Sequence, residues 1–236
     1  MTAVAVAEVG LYRRTTAAAL VIAPALLLLD NILHPKEWER GNEAEQLREI
    51  AAHADRWQLA HAIGFVAIII FAAAVLGLAF LVRRRQPRLG LIGGVLGIVG
   101  LMSFAAVISL DGFTWGVLGE VSGRPGVDLA TTETALHEVQ HAEWSLVYYL
   151  PTLAFIVGFV ALAIGAARAG AVPTWAGALL ALGGLMAAVE TAVINNAYFI
   201  IAAAVLLAGG AAVAAAIARM SDEDFARGGP APPSSG

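Results

Sequence analysis

Long apolar blocks separated by short polar connections dominate this chain. Each block holds about 20 or more mostly apolar residues, and roughly 20 are needed for a helix to cross a hydrocarbon core of about 30 Å. The blocks lie at 15–34, 57–82, 89–110, 143–167, 173–194 and 197–218. The pattern predicts an all-α fold: an integral membrane bundle of six transmembrane helices, with residues 15–219 as one membrane domain.

The two ends of the chain differ from this domain. Residues 1–14 are expected to be a short cytoplasmic lead, and residues 220–236 a disordered cytoplasmic tail, because segments rich in Pro, Gly and Ser bury too little apolar surface to become ordered. The first apolar block follows a basic flank, as in a signal peptide, but Asp30 and Asn31 stand where a small-residue cleavage pattern would be needed. This block is therefore predicted to remain as an uncleaved anchor.

The first polar connection carries a helical signal of its own. Leu47, Ile50, Ala54, Trp57 and His61 recur at steps of three and four, which places them on one helix face. We therefore expect the second span to begin as an amphipathic helical extension outside the bilayer.

The third connection between spans, residues 111–142, combines helix breakers with a helix start. Gly and Pro residues are expected to interrupt regular structure as far as Gly126, and Asp128 or Thr131 can then cap a new helix through a side-chain oxygen. That helix is expected to run into the fourth span, where Pro151 predicts a kink.

Composition and charge narrow the class of protein. The chain is 59% hydrophobic and 14% charged, which is typical of a membrane protein. Its net charge of −4, without a basic block interleaved with aromatic residues, argues against nucleic acid as a partner. The absence of cysteine excludes disulfides, thiolate ligands and thiol chemistry.

Arginine is concentrated in alternate connections of the predicted bundle. These connections carry Arg13, Arg14, Arg83, Arg84, Arg85, Arg88, Arg168, Arg219 and Arg227. Short loops rich in Lys and Arg remain on the cytoplasmic side of a membrane. Both termini are therefore predicted to be cytoplasmic.

All five histidines then fall on the outer side of the membrane. They are His34, His53, His61, His137 and His141. Carboxylates at a similar depth include Asp30, Asp111 and Glu190. Ionisable groups near or within membrane spans are costly and often mark a functional interior, so we expect an outward-facing cluster of histidines and carboxylates.

The stretch "ALHEVQHAEW" at 135–144 suggests a specific chemistry. On a helix, His137 and His141 lie one turn apart and can share one Zn²⁺ at about 2.0–2.1 Å. The five residues from His137 to His141 resemble the His-Glu-x-x-His signature of zincins, which implies a zinc hydrolase with two histidine ligands and Glu138 as general base.

A zincin also needs a third ligand, and none follows the pair at the usual spacing. His61, Asp111 and Glu190 are the candidates for that position. Intramembrane site-2-type proteases combine such a helix with a later Asp-Gly ligand, whereas Asp111 and Gly112 precede the pair here, so that family is not assigned.

Three other interpretations stay open from the sequence. The pair can simply be the polar start of a helix. A b-type haem can be held between facing helices, for instance by His61 with His137 or His141. Alternatively the protein is a transporter, sensor or assembly partner in which Asp30 and Glu190 serve solute or proton passage.

The chain as a whole resembles small multi-pass bacterial inner-membrane proteins of unassigned function. The resemblance rests on Ala-rich spans and on arginine in place of lysine, since Lys36 is the one lysine. It implies an inner-membrane location, with the lipid bilayer as a partner, and no activity. If the protein is a metal-dependent hydrolase, we expect a lipid-like or peptide substrate to enter from between the helices.

Overall fold

The computed structural model describes residues 3–35, 42–141, 145–189 and 196–231, and within these ranges the chain forms helices and no strand. In chain order the helices are α1 (Ala3–Leu33), α2 (Glu43–Ala52), α3 (Ala54–Arg83), α4 (Pro87–Leu110), α5 (Gly116–Ser122), α6 (Leu129–His141), α7 (Ser145–Arg168), α8 (Thr174–Val189), α9 (Asn196–Ala218) and α10 (Asp222–Arg227). A π-helical turn at Asp111–Trp115 joins α4 to α5.

Five helical stretches in the described ranges are long and apolar enough to cross a membrane. They are Glu8–Leu33, Ala54–Arg83, Pro87–Ser122, Pro151–Arg168 and Ala197–Ala218. The predicted span at 173–194 is represented by α8, which is apolar but shorter, and residues 190–195 lie outside the described part of the chain. The fold is therefore that of an all-helical, multi-pass membrane protein.

Six apolar helices, the five long ones and α8, pack in a closed ring. Each of α1, α3, α4, α7, α8 and α9 packs on the next, and α9 packs back on α1. Neighbours run antiparallel: Asp30 and Thr16 of α1 face Gly64 and Gly77 of α3, respectively. The helices therefore follow one another around the ring in their order along the chain. Because they alternate in direction, the helix ends lie at two opposite ends of the ring. We name them the histidine end, with α2, α5 and α6, and the arginine end, where α1 begins and α9 finishes.

Glycine permits the closest approach in the ring, between α4 and α7. A Cβ atom added to Gly100 would collide with the backbone of Phe155, and one added to Gly158 would collide with the backbone of Gly97. Small residues let helix backbones touch in this way, so that dispersion contacts hold the two helices together.

Aromatic side chains fill the middle of the ring of helices. Phe71 of α3 and Phe155 and Phe159 of α7 lie with ring centroids 5.4 to 5.5 Å apart. Among the residues whose burial the structure describes, the buried polar side chains are Thr16, Glu43, Gln46 and Thr132. Of these, Thr16 alone belongs to a ring helix, and its hydroxyl donates to the carbonyl of Tyr12. The described interior is therefore apolar.

Helix α2 is separate from α3, which differs from the continuous extension that the periodicity predicts. His53 interrupts the helix with φ −133° and ψ 34°, and its backbone N–H still reaches the carbonyls of Glu49 and Ile50 at 3.1 Å. The break lets α2 cross the histidine end, where it packs on α5 with Ile50 against Gly119.

The predicted interruption of regular structure is wrong for residues 111–122, which continue the α4 helix through the π-helical turn into α5. The glycines serve packing there. Residues 112, 116 and 119 fall on one helix face, where they contact His61, Trp57 and Ile50, respectively. Because this face has no side chains, residues 111–122 can pack closely against α2 and α3 as a helix. These contacts favour a helix over a loop.

The expected helix start near residue 128 is confirmed. Gly126 takes a positive φ of 83°, and the Asp128 carboxylate then accepts the backbone N–H groups of Ala130 and Thr131 at 3.3 and 3.2 Å. Residues 142–144 lie outside the described part, between α6 and α7, and Pro151 lies within α7.

The segment after the sixth predicted span is described as far as residue 231 and includes the short helix α10, which its composition did not indicate. Ser221 caps α10 by accepting the N–H of Asp224 at 3.0 Å, and Phe225 is fully buried, stacked 5.8 Å from Phe80. Arg13 forms a 2.7 Å ion pair with Asp222. One buried aromatic residue and a capped turn thus tie this helix to the arginine end.

Gly100→Ala is expected to destabilise the protein even though alanine favours helix formation by about 1 kcal/mol. The added methyl group must push α7 away from α4, and overpacking of this kind costs about 1–3 kcal/mol. The check is the thermal unfolding midpoint in detergent. Gly184→Ala is the control, because its Cβ would meet a side chain at 3.3 Å and no backbone; equal midpoints for the two variants would contradict the packing described.

Phe225→Ala is expected to release α10 from the arginine end, because the ring of Phe225 is the buried anchor of this short helix. Limited trypsin digestion should then cut at Arg219 and Arg227 faster than in the wild type. Glu223→Ala changes an exposed side chain of the same helix that pairs with Arg227, and it should leave the rate of cleavage at Arg219 unchanged.

Candidate metal centre

Two helices at the histidine end bring the candidate ligands together. Glu43 is the first residue of α2, and its position is fixed by the Asn42 cap, whose side chain accepts the N–H of Glu45 at 3.2 Å. Leu47 and Ile50 are fully buried and anchor α2 to the protein. The N-terminus of α2 is therefore held in place.

Helix α6 presents the histidines. Leu136 is fully buried and Thr132 is 6% exposed, so one face of α6 packs inward. His137 and His141 lie one turn apart beside that face. The local sequence thus places two imidazoles next to each other at a helix end that faces solvent.

The Glu43 carboxylate lies between the two imidazoles. Its Oε1 atom accepts a hydrogen bond from Nδ1 of His137 at 3.0 Å and lies 3.9 Å from Nε2 of His141. The two imidazole centroids are 4.2 Å apart. Within the described ranges, these three residues form the one group of three or more histidines and carboxylates whose ligand atoms all lie within 4.8 Å of one another, so they can hold a metal ion.

The three side chains differ in exposure and charge. The Glu43 side chain is 8% exposed, whereas those of His137 and His141 are 55% and 61% exposed. The hydrogen bond from His137, followed by the backbone N–H of Glu43 itself, lowers the pKa of the Glu43 carboxyl below its ordinary value, with a further contribution from the charge of the imidazoles. The carboxylate is thus kept ionised, which is the form that binds metal.

This donor set suits zinc. Two imidazoles and one glutamate form the protein ligand set of several zinc hydrolases, which leave a fourth position open for water or substrate. The exposed histidines leave such a position accessible from solvent. Glu138, the next residue after His137, is exposed on the same helix.

His61 and Asp111, two of the predicted third ligands, lie in a different cluster from the α6 histidines. The ring of His61 packs against Trp57 and His34, with centroids at 4.4 and 5.2 Å. The carbonyl of Asp111 accepts the indole N–H of Trp57 at 3.3 Å. The third candidate, Glu190, falls outside the described residues.

Glu43 is the member of this group that sequence reasoning missed. It precedes Leu47 by four residues and Ile50 by seven, so it continues the apolar face of the first loop helix toward the N-terminus. A carboxylate in register with buried residues is a signal that could have identified it. Which helix α2 would pack against was not readable from that pattern.

The remaining predicted polar residues lie elsewhere at the histidine end. The Asp30 carboxylate packs over Gly64 of α3. His34 directly follows α1, where its Nδ1 bonds the carbonyl of Pro35 at 3.0 Å. His53 stands at the break between α2 and α3, 3.3 Å from the Glu49 carboxylate.

Comparison with known proteins identifies a family. The family model described as a domain of unknown function (DUF4386) matches residues 15–221, which is most of the chain. No curated protein and no solved structure matches the chain significantly.

The pKa of Glu43 predicts how pH affects the contact between Glu43 of α2 and His137 of α6. Because the folded-state pKa lies below the ordinary value of 4.5, the ionised carboxylate stabilises the fold above about pH 4.5, and this stability is lost as pH falls through the folded-state pKa. In the presence of a chelator, the stability difference between wild type and Glu43→Gln should therefore be full at pH 6 and shrink below pH 4.5.

Hydrogen exchange of the α6 amides, followed from pH 6 to pH 3.5 in detergent, measures this difference. Glu49→Gln is the control, because Glu49 pairs with His53 next to its own helix and joins no second element. A difference between wild type and Glu43→Gln that stays constant with pH would contradict the assignment.

Proposed function

The chain belongs to the DUF4386 family, a domain of unknown function, and we propose that it is a metal-dependent membrane hydrolase. Its zinc ligands are Glu43, His137 and His141, and Glu138 is its general base. The observation that carries the proposal is the carboxylate of α2 against both histidines of a His-Glu-x-x-His helix. The sequence motif alone is short, but a converging third ligand from a distant segment makes a complete protein ligand set.

The proposed roles follow from the chemistry of the side chains. Glu43, His137 and His141 would hold the zinc ion, which would supply Lewis-acid chemistry to lower the pKa of bound water and to polarise a carbonyl or phosphoryl oxygen. Glu43 balances the charge of the ion through its ionised carboxylate. Glu138 accepts the proton of the attacking water and passes it to the leaving group, as a carboxylate near the reacting atoms can.

A lipid-like or peptide substrate fits the position of the site. The histidines are more than half exposed and lie on a helix that leads into α7. Substrates that partition into the membrane surface are concentrated at such a position, next to the apolar outer face of the ring helices. The proposal therefore has substrate approach from the membrane surface at the histidine end.

Packing gives less support to the other interpretations. A haem between His61 and the α6 histidines requires the two groups to face each other, yet His61 packs with His34 and Trp57. Transport through the ring requires polar groups along it, whereas Phe71, Phe155 and Phe159 fill its centre. The hydrolase proposal rests on Glu43, His137 and His141, which contact one another at the histidine end.

For the location, we propose six membrane spans in a bacterial inner membrane, with both termini cytoplasmic. The arginine distribution supports this orientation, because Arg13 and Arg85 lie at the same end of the ring, bonded to the carbonyls of Ala218 and Ala169. In the proposed orientation the candidate metal centre lies on the outer side. The span at α8 completes an even number of crossings, which brings both termini to one side.

Zinc content tests the metal centre directly. The protein purified in detergent should carry zinc, and His137→Ala/His141→Ala as well as Glu43→Gln should bind it more weakly, because each change removes protein ligands. His53→Ala is the matched control, since it removes another exposed histidine of the same end. Unchanged zinc binding in the double variant would contradict the ligand assignment.

Glu138→Gln separates catalysis from metal binding. It should retain zinc and lower hydrolysis by about 10²–10⁴-fold, the contribution of a positioned general base. The assay presents vesicles containing a fluorogenic phospholipid and, separately, a fluorogenic peptide. Full activity of this variant, or hydrolysis that is insensitive to a chelator, would overturn the proposed mechanism.

A further inference from the structure

The arginine end carries more positive charge than its own carboxylates can balance. In the part of the chain that the structure describes, this end holds nine arginines and four carboxylates, which are Glu8, Asp222, Glu223 and Asp224. The last three pair with Arg13 or with Arg227. Most of the arginines are therefore available to anions from outside the chain.

Three exposed arginines lie at the turn between α3 and α4. They are Arg83, Arg84 and Arg88, and none of them forms an ion pair with a described residue. One membrane-spanning stretch ends at Arg83 and the next begins at Pro87. The turn therefore lies at the level of the lipid headgroups, where guanidinium groups meet phosphate.

An aromatic side chain holds two of these guanidinium groups in place. The ring of Phe80 stacks with those of Tyr12 and Phe225, each at 5.8 Å. The Cζ atom of Arg83 lies 4.8 Å from the centroid of Phe80, and that of Arg84 lies 5.6 Å from it. Because a cation–π contact requires no N–H donor, both groups keep donors for a phosphate, which guanidinium binds through paired hydrogen bonds.

A groove between α3 and α4 leads from this turn along the outer face of the ring of helices. Its floor consists of small residues: a Cβ atom added to Gly94 would lie 2.9 Å from Cβ of Ala79. One added to Gly90 would lie 2.6 Å from Cα of Arg83, so the two helices touch where the groove reaches the arginines.

Exposed apolar side chains continue from the arginines on both sides of the groove. On α3, Leu76 precedes Arg83 by seven residues, which places both on one helix face. On α4, Ile92 and Val95 follow Arg88 by four and seven residues and share its face. Each face thus has a cation at the membrane surface and apolar groups toward the membrane centre. A phospholipid has the complementary order, with an anionic phosphate above apolar chains.

We propose that the groove between α3 and α4 binds an anionic phospholipid. Arg83 and Arg88 bind its phosphate, Arg84 adds positive charge beside them, and the acyl chains lie along Leu76 and Val95. Arginine clusters next to membrane spans attract anionic headgroups, and the groove provides a position for the chains of one lipid. This site is independent of the candidate metal centre, which lies at the other end of the ring.

Native mass spectrometry of the full-length protein in detergent tests the proposal. The protein is titrated with phosphatidylglycerol, which is anionic, and with phosphatidylcholine, which has the same acyl chains and no net charge. The wild type should retain phosphatidylglycerol in preference. Arg83→Gln/Arg88→Gln should bind it about 25-fold more weakly, because each arginine near an anionic lipid contributes about fivefold to the affinity.

The control variant is Arg14→Gln/Arg219→Gln, which removes the same charge from exposed residues of α1 and of the position after α9. It should keep the wild-type affinity for phosphatidylglycerol. An equal loss of affinity in both double variants would show attraction to diffuse charge and would overturn the groove.

A competition experiment separates a lipid from a soluble phosphate compound. Glycerophosphoglycerol, the headgroup without acyl chains, should not displace phosphatidylglycerol at matched concentration, because it lacks the apolar part that the groove contacts. Equal competition by this compound would assign the arginines to a soluble anion and contradict the proposal. Equal retention of the two phospholipids by the wild type would contradict it without the use of any variant.

Discussion

A lipid bilayer offers no hydrogen-bonding partner to the polypeptide backbone, and this constraint shapes the whole molecule. Each apolar stretch must satisfy its own backbone groups within a helix. The helices then pack through glycine and aromatic contacts, which leave the described interior apolar. In the described ranges the ionisable side chains gather toward the two ends of the ring, with the histidines at one end and most of the arginines at the other. Chemistry that needs charged or metal-binding groups is therefore confined to the ends, and the candidate sites lie where the packing places such groups.

At the histidine end, the contact between Glu43 and the α6 histidines depends on features that are far apart in the sequence. The break at His53 turns α2 across the ring, and the side-chain-free face of α5 accepts it through Gly119. The Asp128 cap then starts α6 at the position that brings His137 within 3.0 Å of the Glu43 carboxylate. Each feature is local, but together they assemble a ligand set from two loops. The loops are thus organised by the same packing rules as the membrane helices.

Hydropathy predicts most of this fold, because the cost of exposing polar groups to lipid makes the spans clear in the sequence. The helices of the connections are predicted less completely. Leu47 and Ile50 indicated α2. The glycines at 112, 116 and 119 suggested a loop, but in the structure they form a packing face of a helix. Composition did not indicate α10, because this helix depends on the burial of one residue, Phe225. His137 and His141 were identified from spacing, but Glu43 was not, because pairing between α2 and α6 depends on tertiary packing.

The proximity of α2 and α6 is the most direct test of this account. The chain contains no cysteine, so Glu43→Cys can be combined with His137→Cys or with Val139→Cys, which lies about 200° further round the same helix. A short bifunctional thiol reagent is applied in the membrane, and trypsin then cuts the arginine-rich segment at 83–88. The account predicts that the first pair keeps the two fragments joined and the second does not. Equal linkage of both pairs, or none, would contradict the assembly of the metal centre.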